Sequence, residues 1–329
     1  MVLVEKRLNP LAHWTRLAIF LIAAAHHGNA GAADAGSLPR IATPAAVDAP
    51  NGPTRVEPAQ SPLGEMFDSG QRALLNKDYP TAYRLLRNAA AQGYAQAQRA
   101  LGGMYLAGQG VAADDAEALR WYRRAAEQGD AEAQASLGLM YAHGRGVAMD
   151  DVAAEKWFRL AAEQGDAAGQ SNLGVMYLEG RGVDRNDAEA ANWIRLAAVQ
   201  GEPLAQENLG LLFRDGRGVE RDEIEAAWWF RRSAEQGNAE AQTSLGLMYG
   251  EGRGVPKDYA EAVEWLRKGA EQGNALAQYH LGVSLAEGRG VDQDRDAALK
   301  WLRISARQGN ALARDYLWAN GNITVESKN

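Results

Sequence analysis

The sequence predicts an all-α fold, an α/α superhelical solenoid of about six helix–loop–helix repeats of 36 residues with atypical units at its ends. Three recurrences at that spacing predict it. A Gln-Gly dipeptide recurs from Gln92 to Gln308, a Gly-x-Gly-Val motif from Gly108 to Gly288, and a tryptophan from Trp121 to Trp301. A fixed period of this length is typical of tandem units that bury their apolar faces against one another.

The unit 238–273 shows how the pattern reads as two helices. Asn238 suits an N-cap, apolar residues follow at spacings of three and four, and Gly252 ends the first helix because glycine readily adopts left-handed conformations. Asp258 and Glu261 form the capping box that begins the second helix. Trp265 lies on its apolar stripe, so we interpret the tryptophan series as core between units and not as a sugar-stacking surface.

The recurring residues make up the pattern A-x-Q-x-x-L-G-x-M-Y-x-x-G-x-G-V-x-x-D-x-x-x-A-x-x-W. With this pattern the chain resembles the Sel1-like repeat family, a relative of the tetratricopeptide repeat, from about Tyr94 to Leu317. Where tetratricopeptide units carry a tryptophan, this chain has glutamine in each unit, from Gln98 to Gln278. The resemblance implies a right-handed superhelix that binds other proteins, and it implies no chemistry.

The repeats also set the predicted domain boundaries. Residues 63–93 are predicted to form a tetratricopeptide-like capping hairpin, because Asn76–Asp78 replaces the glycine loop. A capping helix at 310–320 carries Trp318 at the glycine position of the other units, and we expect its ring to cover the open end of the core. A flexible tail follows at 321–329. The repeat units themselves are predicted at 94–129, 130–165, 166–201, 202–237, 238–273 and 274–309.

The N-terminal residues carry the pattern of a secretory signal. Lys6, Arg7 and Arg16 precede an apolar run at 17–25, and small residues follow at 30–32, so residues 1–32 are predicted to be a signal peptide. The protein would then be periplasmic or secreted, or membrane-anchored if the segment is not cleaved. Residues 33–62 hold six of the ten prolines and are predicted to be a disordered linker.

The composition excludes several classes of function. The chain has no cysteine, which removes disulfides, thiol catalysis and thiolate metal sites. Removing residues 1–32 takes away a net charge of +2 and changes the total from −7 to −9, so nucleic acid and anionic membranes are not expected partners. His143 and His280 stand alone, and no catalytic, cofactor or metal site is predicted.

The arginines are expected to pair locally. Loop arginines such as Arg253 follow an acidic residue by two positions, here Glu251, and we expect these pairs to prevent a phosphate-binding ladder. Helix arginines such as Arg267 precede a glutamate by four positions, here Glu271, a spacing typical of exposed ion pairs.

The partner-binding surface is predicted on the first helices. An apolar ribbon should run along it, flanked by a variable column at positions 99, 135, 171, 207, 243 and 279 that includes Glu207, Thr243 and Tyr279. The alternative is that these side chains only pack between neighbouring first helices. The ribbon residues are Leu139, Val175, Leu211, Leu247 and Val283.

These expectations favour a non-enzymatic scaffold or regulatory adaptor of the cell envelope that binds a partner protein or peptide in a concave groove. It would need no cofactor, and it would not insert stably in a membrane after signal cleavage. One alternative is an envelope enzyme acting on peptidoglycan or β-lactams, since some members of the family have been linked to β-lactams; those members are cysteine-rich. Another alternative is a secreted host-interaction factor.

Overall fold

The computed structural model describes residues 61–320, and all of its regular structure in that range is helical. The predicted signal peptide, the body of the predicted linker and the tail at 321–329 lie outside the described residues. The helices are α1 Pro62–Leu75, α2 Tyr79–Ala91, α3 Ala95–Ala107, α4 Asp115–Glu127, α5 Ala131–His143, α6 Asp151–Glu163, α7 Ala167–Glu179, α8 Asp187–Val199, α9 Pro203–Asp215, α10 Glu223–Glu235, α11 Ala239–Glu251, α12 Tyr259–Glu271, α13 Ala275–Glu287, α14 Arg295–Arg307 and α15 Ala311–Ala319.

The helix ends lie at the residues that the sequence predicts. The Asn238 side chain accepts a hydrogen bond from the Ala241 amide and begins α11, which ends at Gly252 in a left-handed conformation (φ 73°). Asp258 accepts from the amides of Ala260 and Glu261 and begins α12. These side chains satisfy amides that have no partner inside the helix, which is why the same cap types recur in each unit.

Each helix packs mainly against the helix before it and the helix after it, so the described residues form a solenoid. The all-α solenoid prediction is therefore confirmed. The tryptophans join neighbouring units: Trp229 is buried with Ile194 of the preceding unit and Leu209 of its own. Trp265 is also buried, whereas the other four of the series are half-buried against the same kind of cluster.

A row of glutamines ties the units together in the interior. The Gln206 Nε2 donates to the carbonyl oxygen of Ala198 in the preceding unit at 3.1 Å, and its Oε1 accepts from Gln236 Nε2 at 2.8 Å. The first of these bonds recurs at Gln98, Gln134, Gln170, Gln242 and Gln278. A buried amide needs such partners, so the glutamine in place of the tetratricopeptide tryptophan has a structural role.

The glycine loop also joins the units. A Cβ atom at Gly254 would collide with the carbonyl oxygen of Glu223 in the preceding unit, so the second glycine permits a close backbone approach. Gly182 makes the equivalent approach to Asp151, and there Arg181 also pairs with the Asp151 carboxylate at 2.6 Å. The same bond joins Arg145 to Asp115 and Arg217 to Asp187.

The arginine expectations are therefore only partly correct. Arg253 and Arg289 do pair with the glutamate two residues before them, at 2.5 and 2.6 Å. The helix arginines differ, since Arg123, Arg159 and Arg231 donate to a tyrosine hydroxyl of the following unit. The expected pairing with a glutamate four residues later is wrong because that tyrosine lies within reach across the unit boundary.

The two ends differ from the repeating units. A three-residue turn with Lys77 in a left-handed conformation (φ 58°) joins α1 to α2, as expected from Asn76–Asp78. At the other end Trp318 is 71% exposed, so the expectation that its ring covers the core is wrong. Leu317 fills the interior there instead. None of the helices in residues 61–320 combines the length and apolar character needed to cross a bilayer.

Candidate interaction surface

The predicted ribbon lies on the first helices and is only partly accessible. Val175, Leu211, Leu247 and Val283 are half-buried, and Leu139 is 8% exposed. All of them except Val175 pack against a core cluster that spans their own unit and the following one; Leu211, for example, packs against the cluster that contains Phe230 and Leu245. These side chains therefore lie at the boundary between two units, and the half-buried ones present some apolar surface to solvent. Partner binding at these residues stays a prediction.

The variable column differs from the expectation. Glu207, Thr243, Ala135 and Ser171 are buried, and only Arg99 and Tyr279 are half-buried. Four of the six side chains hydrogen-bond to the start of the following first helix or to their own helix. Glu207 accepts from Asn238 Nδ2 at 2.8 Å, and Thr243 Oγ1 donates to the carbonyl oxygen of Ala239 at 2.7 Å.

Other residues flank the ribbon instead. One residue further along the helix than the expected column, five of six positions are half-buried and Asn172 is buried. The half-buried positions are 100, 136, 208, 244 and 280. Asn208, Ser244 and His280 are members of this second column, which holds four kinds of residue in six units where the first holds six. The change of residue from unit to unit is the sequence signal that could have identified this column. The two columns occupy adjacent positions in each first helix. The spacing of apolar residues along one helix does not determine which of these positions faces the neighbouring helix.

Burial raises the pKa of several carboxyl groups near this surface. It raises the pKa of Glu207 to about 7, with the charges of Glu240 and Glu202 adding to the effect, and it raises the pKa of Glu202 in the same direction. It also raises the pKa of Asp166 to about 6. Asp166 and Glu202 are N-caps whose carboxylates accept from backbone amides of the helices that they begin, and Glu207 accepts from the Asn238 side chain, itself the N-cap of the following first helix.

The histidines remain separate in the structure. His143 Nδ1 lies 2.8 Å from the carbonyl oxygen of Leu139, and burial lowers the pKa of His280 to about 4. Within residues 61–320, no group of three or more His, Asp or Glu side chains has the geometry to hold a metal ion.

Comparisons with known proteins agree with the repeat pattern. The family model described as "Sel1 repeat" matches seven consecutive segments. The segments are residues 58–94, 95–130, 131–166, 167–202, 203–238, 239–274 and 275–310. The first of them includes residues 63–93, the predicted tetratricopeptide-like hairpin, so this hairpin also matches the Sel1 repeat.

Two solved structures are similar over most of the chain. One is a protective antigen present in uropathogenic Escherichia coli strains that displays an SLR fold. It is 40% identical with a TM-score of 0.70, and the match covers 80% of this chain and 57% of the antigen. The other is a Sel1 repeat protein from Oxalobacter formigenes, 34% identical with a TM-score of 0.66, covering 73% of this chain and 96% of that protein. Among curated proteins none matches the chain.

Proposed function

This chain belongs to the Sel1 repeat family, and from that premise we propose that it is a scaffold or adaptor of the cell envelope that binds a segment of a partner protein in a groove along its first helices. The Sel1 solenoid is a fold typical of protein–protein interaction scaffolds and is generally non-enzymatic. The alternative of an enzyme acting on peptidoglycan or β-lactams gains no supporting observation.

The half-buried ribbon carries the proposal. Val175, Leu211, Leu247 and Val283 give successive units one partly accessible apolar side chain each at the same helix position. A row of apolar contacts with polar flanks buries the side chains of a bound segment, while the flanking residues select among sequences. Because the units repeat at one spacing, the segment would be held at several points along its length.

Cross-linking in intact cells followed by mass spectrometry tests this role. The variants Leu211→Glu and Leu247→Glu should lose the captured partner while keeping the helical circular dichroism spectrum of the wild type. Leu196→Glu is the matched control, since Leu196 is an exposed leucine of a second helix. The proposal is wrong if the ribbon variants fold and capture the same partner as Leu196→Glu. Leu139→Glu is less suitable, because Leu139 is buried and an unpaired charge in its place should unfold the protein.

Localisation is a separate part of the proposal. We expect export and cleavage after residue 32, supported by the basic, apolar and small-residue segments at 1–32. N-terminal sequencing of the mature protein should begin close to Ala33. An intact Met1 on a soluble cytoplasmic form would contradict export.

A secreted host-interaction factor is the second candidate. It is favoured because the relative that is 40% identical is a protective antigen. Fractionation of the culture distinguishes the two candidates, since the first keeps the protein with the cells and the second releases it into the medium.

A further inference from the structure

Arginines of the second helices pair with aromatic rings of the following units. Arg159 Nη2 donates to the Tyr177 hydroxyl at 2.8 Å, and its guanidinium carbon lies 5.8 Å from the centre of that ring. A guanidinium within about 6 Å of a ring centre makes a cation–π interaction. The other pairs are Arg123 with Tyr141, Arg195 with Phe213, and Arg231 with Tyr249.

The series is interrupted at the next unit. Arg267 occupies the arginine position, but Leu285 stands where Tyr249 stands in the preceding unit. Among the interactions described for residues 61–320, Arg267 has no hydrogen bond, ion pair or ring contact, unlike Arg231. A cleft of about 590 Å³ lies there, lined by Arg267, Leu285, Trp301 and the loop that leads into α14. That volume lies in the range of roughly 300–1,000 Å³ that ligand pockets have.

The residues that line the cleft indicate the chemistry of the side chain that would bind there. Arg267 offers a cation and guanidinium donors, Leu285 gives an apolar wall, and Trp301 contributes a half-buried indole ring. An aromatic ring that carries a hydrogen-bond acceptor satisfies all three, and the four complete pairs show that three of the four rings in this position are tyrosines. The loop and the first turn of α14 add three aspartate carboxylates to the lining, and a phenol hydroxyl, unlike an aliphatic side chain, can both accept from Arg267 and donate to a carboxylate.

The residues outside the described range do not offer this ring. Residues 33–60 and 321–329, which lie outside the described range, contain no aromatic residue, and Trp14 and Phe20 belong to the proposed signal peptide. We propose that this cleft binds a tyrosine side chain presented by a partner protein, whose ring lies against Arg267 as the ring of Tyr249 lies against Arg231. The proposal rests on the protein-binding function, but it concerns a site distinct from the ribbon.

Selection of peptides tests the cleft without knowledge of the cellular partner. Random heptapeptides displayed on phage are selected on the full chain, and the affinity of the enriched peptides is measured by fluorescence anisotropy. We expect the peptides to share a tyrosine whose replacement by leucine lowers affinity by about tenfold, a factor that the loss of a partly desolvated cation–π contact and its hydrogen bond can produce. Arg267→Gln should lower the affinity of the chain by a similar factor.

Two matched variants change only the presence of the ring. Leu285→Tyr supplies Arg267 with a ring from its own chain, so it should raise the thermal midpoint and abolish peptide binding. Tyr249→Leu removes the ring beside Arg231, so a chain that remains folded by circular dichroism should bind two peptides by calorimetry where the wild type binds one.

Several results would overturn the proposal. They are an absence of selected peptides, peptides without an aromatic residue, and peptides that bind Leu285→Tyr as tightly as the wild type. A dimer of the chain alone that Leu285→Tyr and Trp318→Ala both dissociate would also overturn it, since a second copy would then be the occupant. Because purified peptides are used, a failed ribbon experiment in cells leaves this test unaffected.

Discussion

At the scale of single residues, buried amides and carboxyls couple the units. Gln206 is 1% exposed and satisfies both the Ala198 carbonyl oxygen and the Gln236 side-chain amide. Removing its side chain breaks both bonds and leaves a gap in the interior. A typical intramolecular hydrogen bond contributes about 0.5–1.5 kcal/mol, so two of them contribute about 1–3 kcal/mol.

We therefore expect Gln206→Ala to lower the free energy of unfolding by about 1–3 kcal/mol in urea denaturation. Gln96→Ala is the control, because Gln96 is an exposed glutamine of a first helix. It should change stability by less than about 0.5 kcal/mol. Equal effects of the two substitutions would mean that the buried bonds contribute nothing measurable.

Glu207 gives the protein a pH dependence of definite sign. Its pKa is raised from 4.5 to about 7, so between these values the folded state holds a proton that the unfolded state has released. Stability should therefore fall as pH rises through this range, and the loss should be complete above about pH 7. Asp166 and Glu202 act in the same direction.

Glu207→Gln should remove much of this dependence, because the neutral amide still offers Asn238 an oxygen. We expect the variant to be more stable than the wild type at pH 8, by up to about 3 kcal/mol, and equally stable at pH 4. Chemical denaturation at both pH values measures this. A gain of the same size at both would show that the charge of Glu207 is not the cause. The exposed Glu235→Gln is the control and should change little at either pH.

At the scale of helices, much of the architecture was predictable. Repetition made the caps, the glycine stops and the tryptophan series stand out, and α11 and α12 begin and end where Asn238, Gly252 and Asp258 predict. The packing of one unit on the next was not predictable to the same degree. A single helix gives the angle of a side chain around its own axis, but not the position of the neighbouring axis, so Thr243 was expected on the surface and lies inside.

Adjacent tryptophans in α10 test the packing between units. Trp229 is 4% exposed and Trp228 is 41% exposed. Trp229→Ala should lower the free energy of unfolding by roughly 3–5 kcal/mol because it opens a cavity across a unit boundary. Trp228→Ala should cost about 1 kcal/mol, for its ring contacts with Trp229 and Arg232. Similar unfolding midpoints for the two variants would contradict the assignment of the tryptophan series to the core.

At the scale of the whole molecule, each unit contacts mainly its two neighbours, so one unit can be removed without disrupting the others. Deleting residues 166–201 removes one unit of 36 residues and joins Gly165 to Glu202, which recreates a normal unit boundary. The shortened chain should fold with a proportionate helical signal and a lower thermal midpoint, since stability in such arrays is a sum over units and their interfaces. Deleting 184–201 alone removes α8 and should prevent cooperative folding. Loss of structure in the first deletion would show contacts beyond nearest neighbours.

Two features belong to the whole array and cannot be inferred from a single repeat. They are the ends, and the unit 274–309, in which Leu285 stands at the aromatic position. Trp318 was expected to cover the core because a neighbouring helix is missing there, yet it is exposed, and Leu317 fills the interior together with Leu302 and Ala313. The cleft beside Arg267 is likewise recognised by comparing Leu285 with the aromatic residues at the same position in the other units.

Site-specific photo-crosslinking in cells tests the central claim, that the ribbon of the first helices holds a partner protein. Benzoylphenylalanine is placed singly at ribbon positions 211 and 247, and at positions 160 and 196, which are exposed leucines of second helices. The account predicts that irradiation joins one partner protein to the two ribbon positions and not to the other two. Adducts of equal yield at all four positions, or adducts only at 160 and 196, would contradict it.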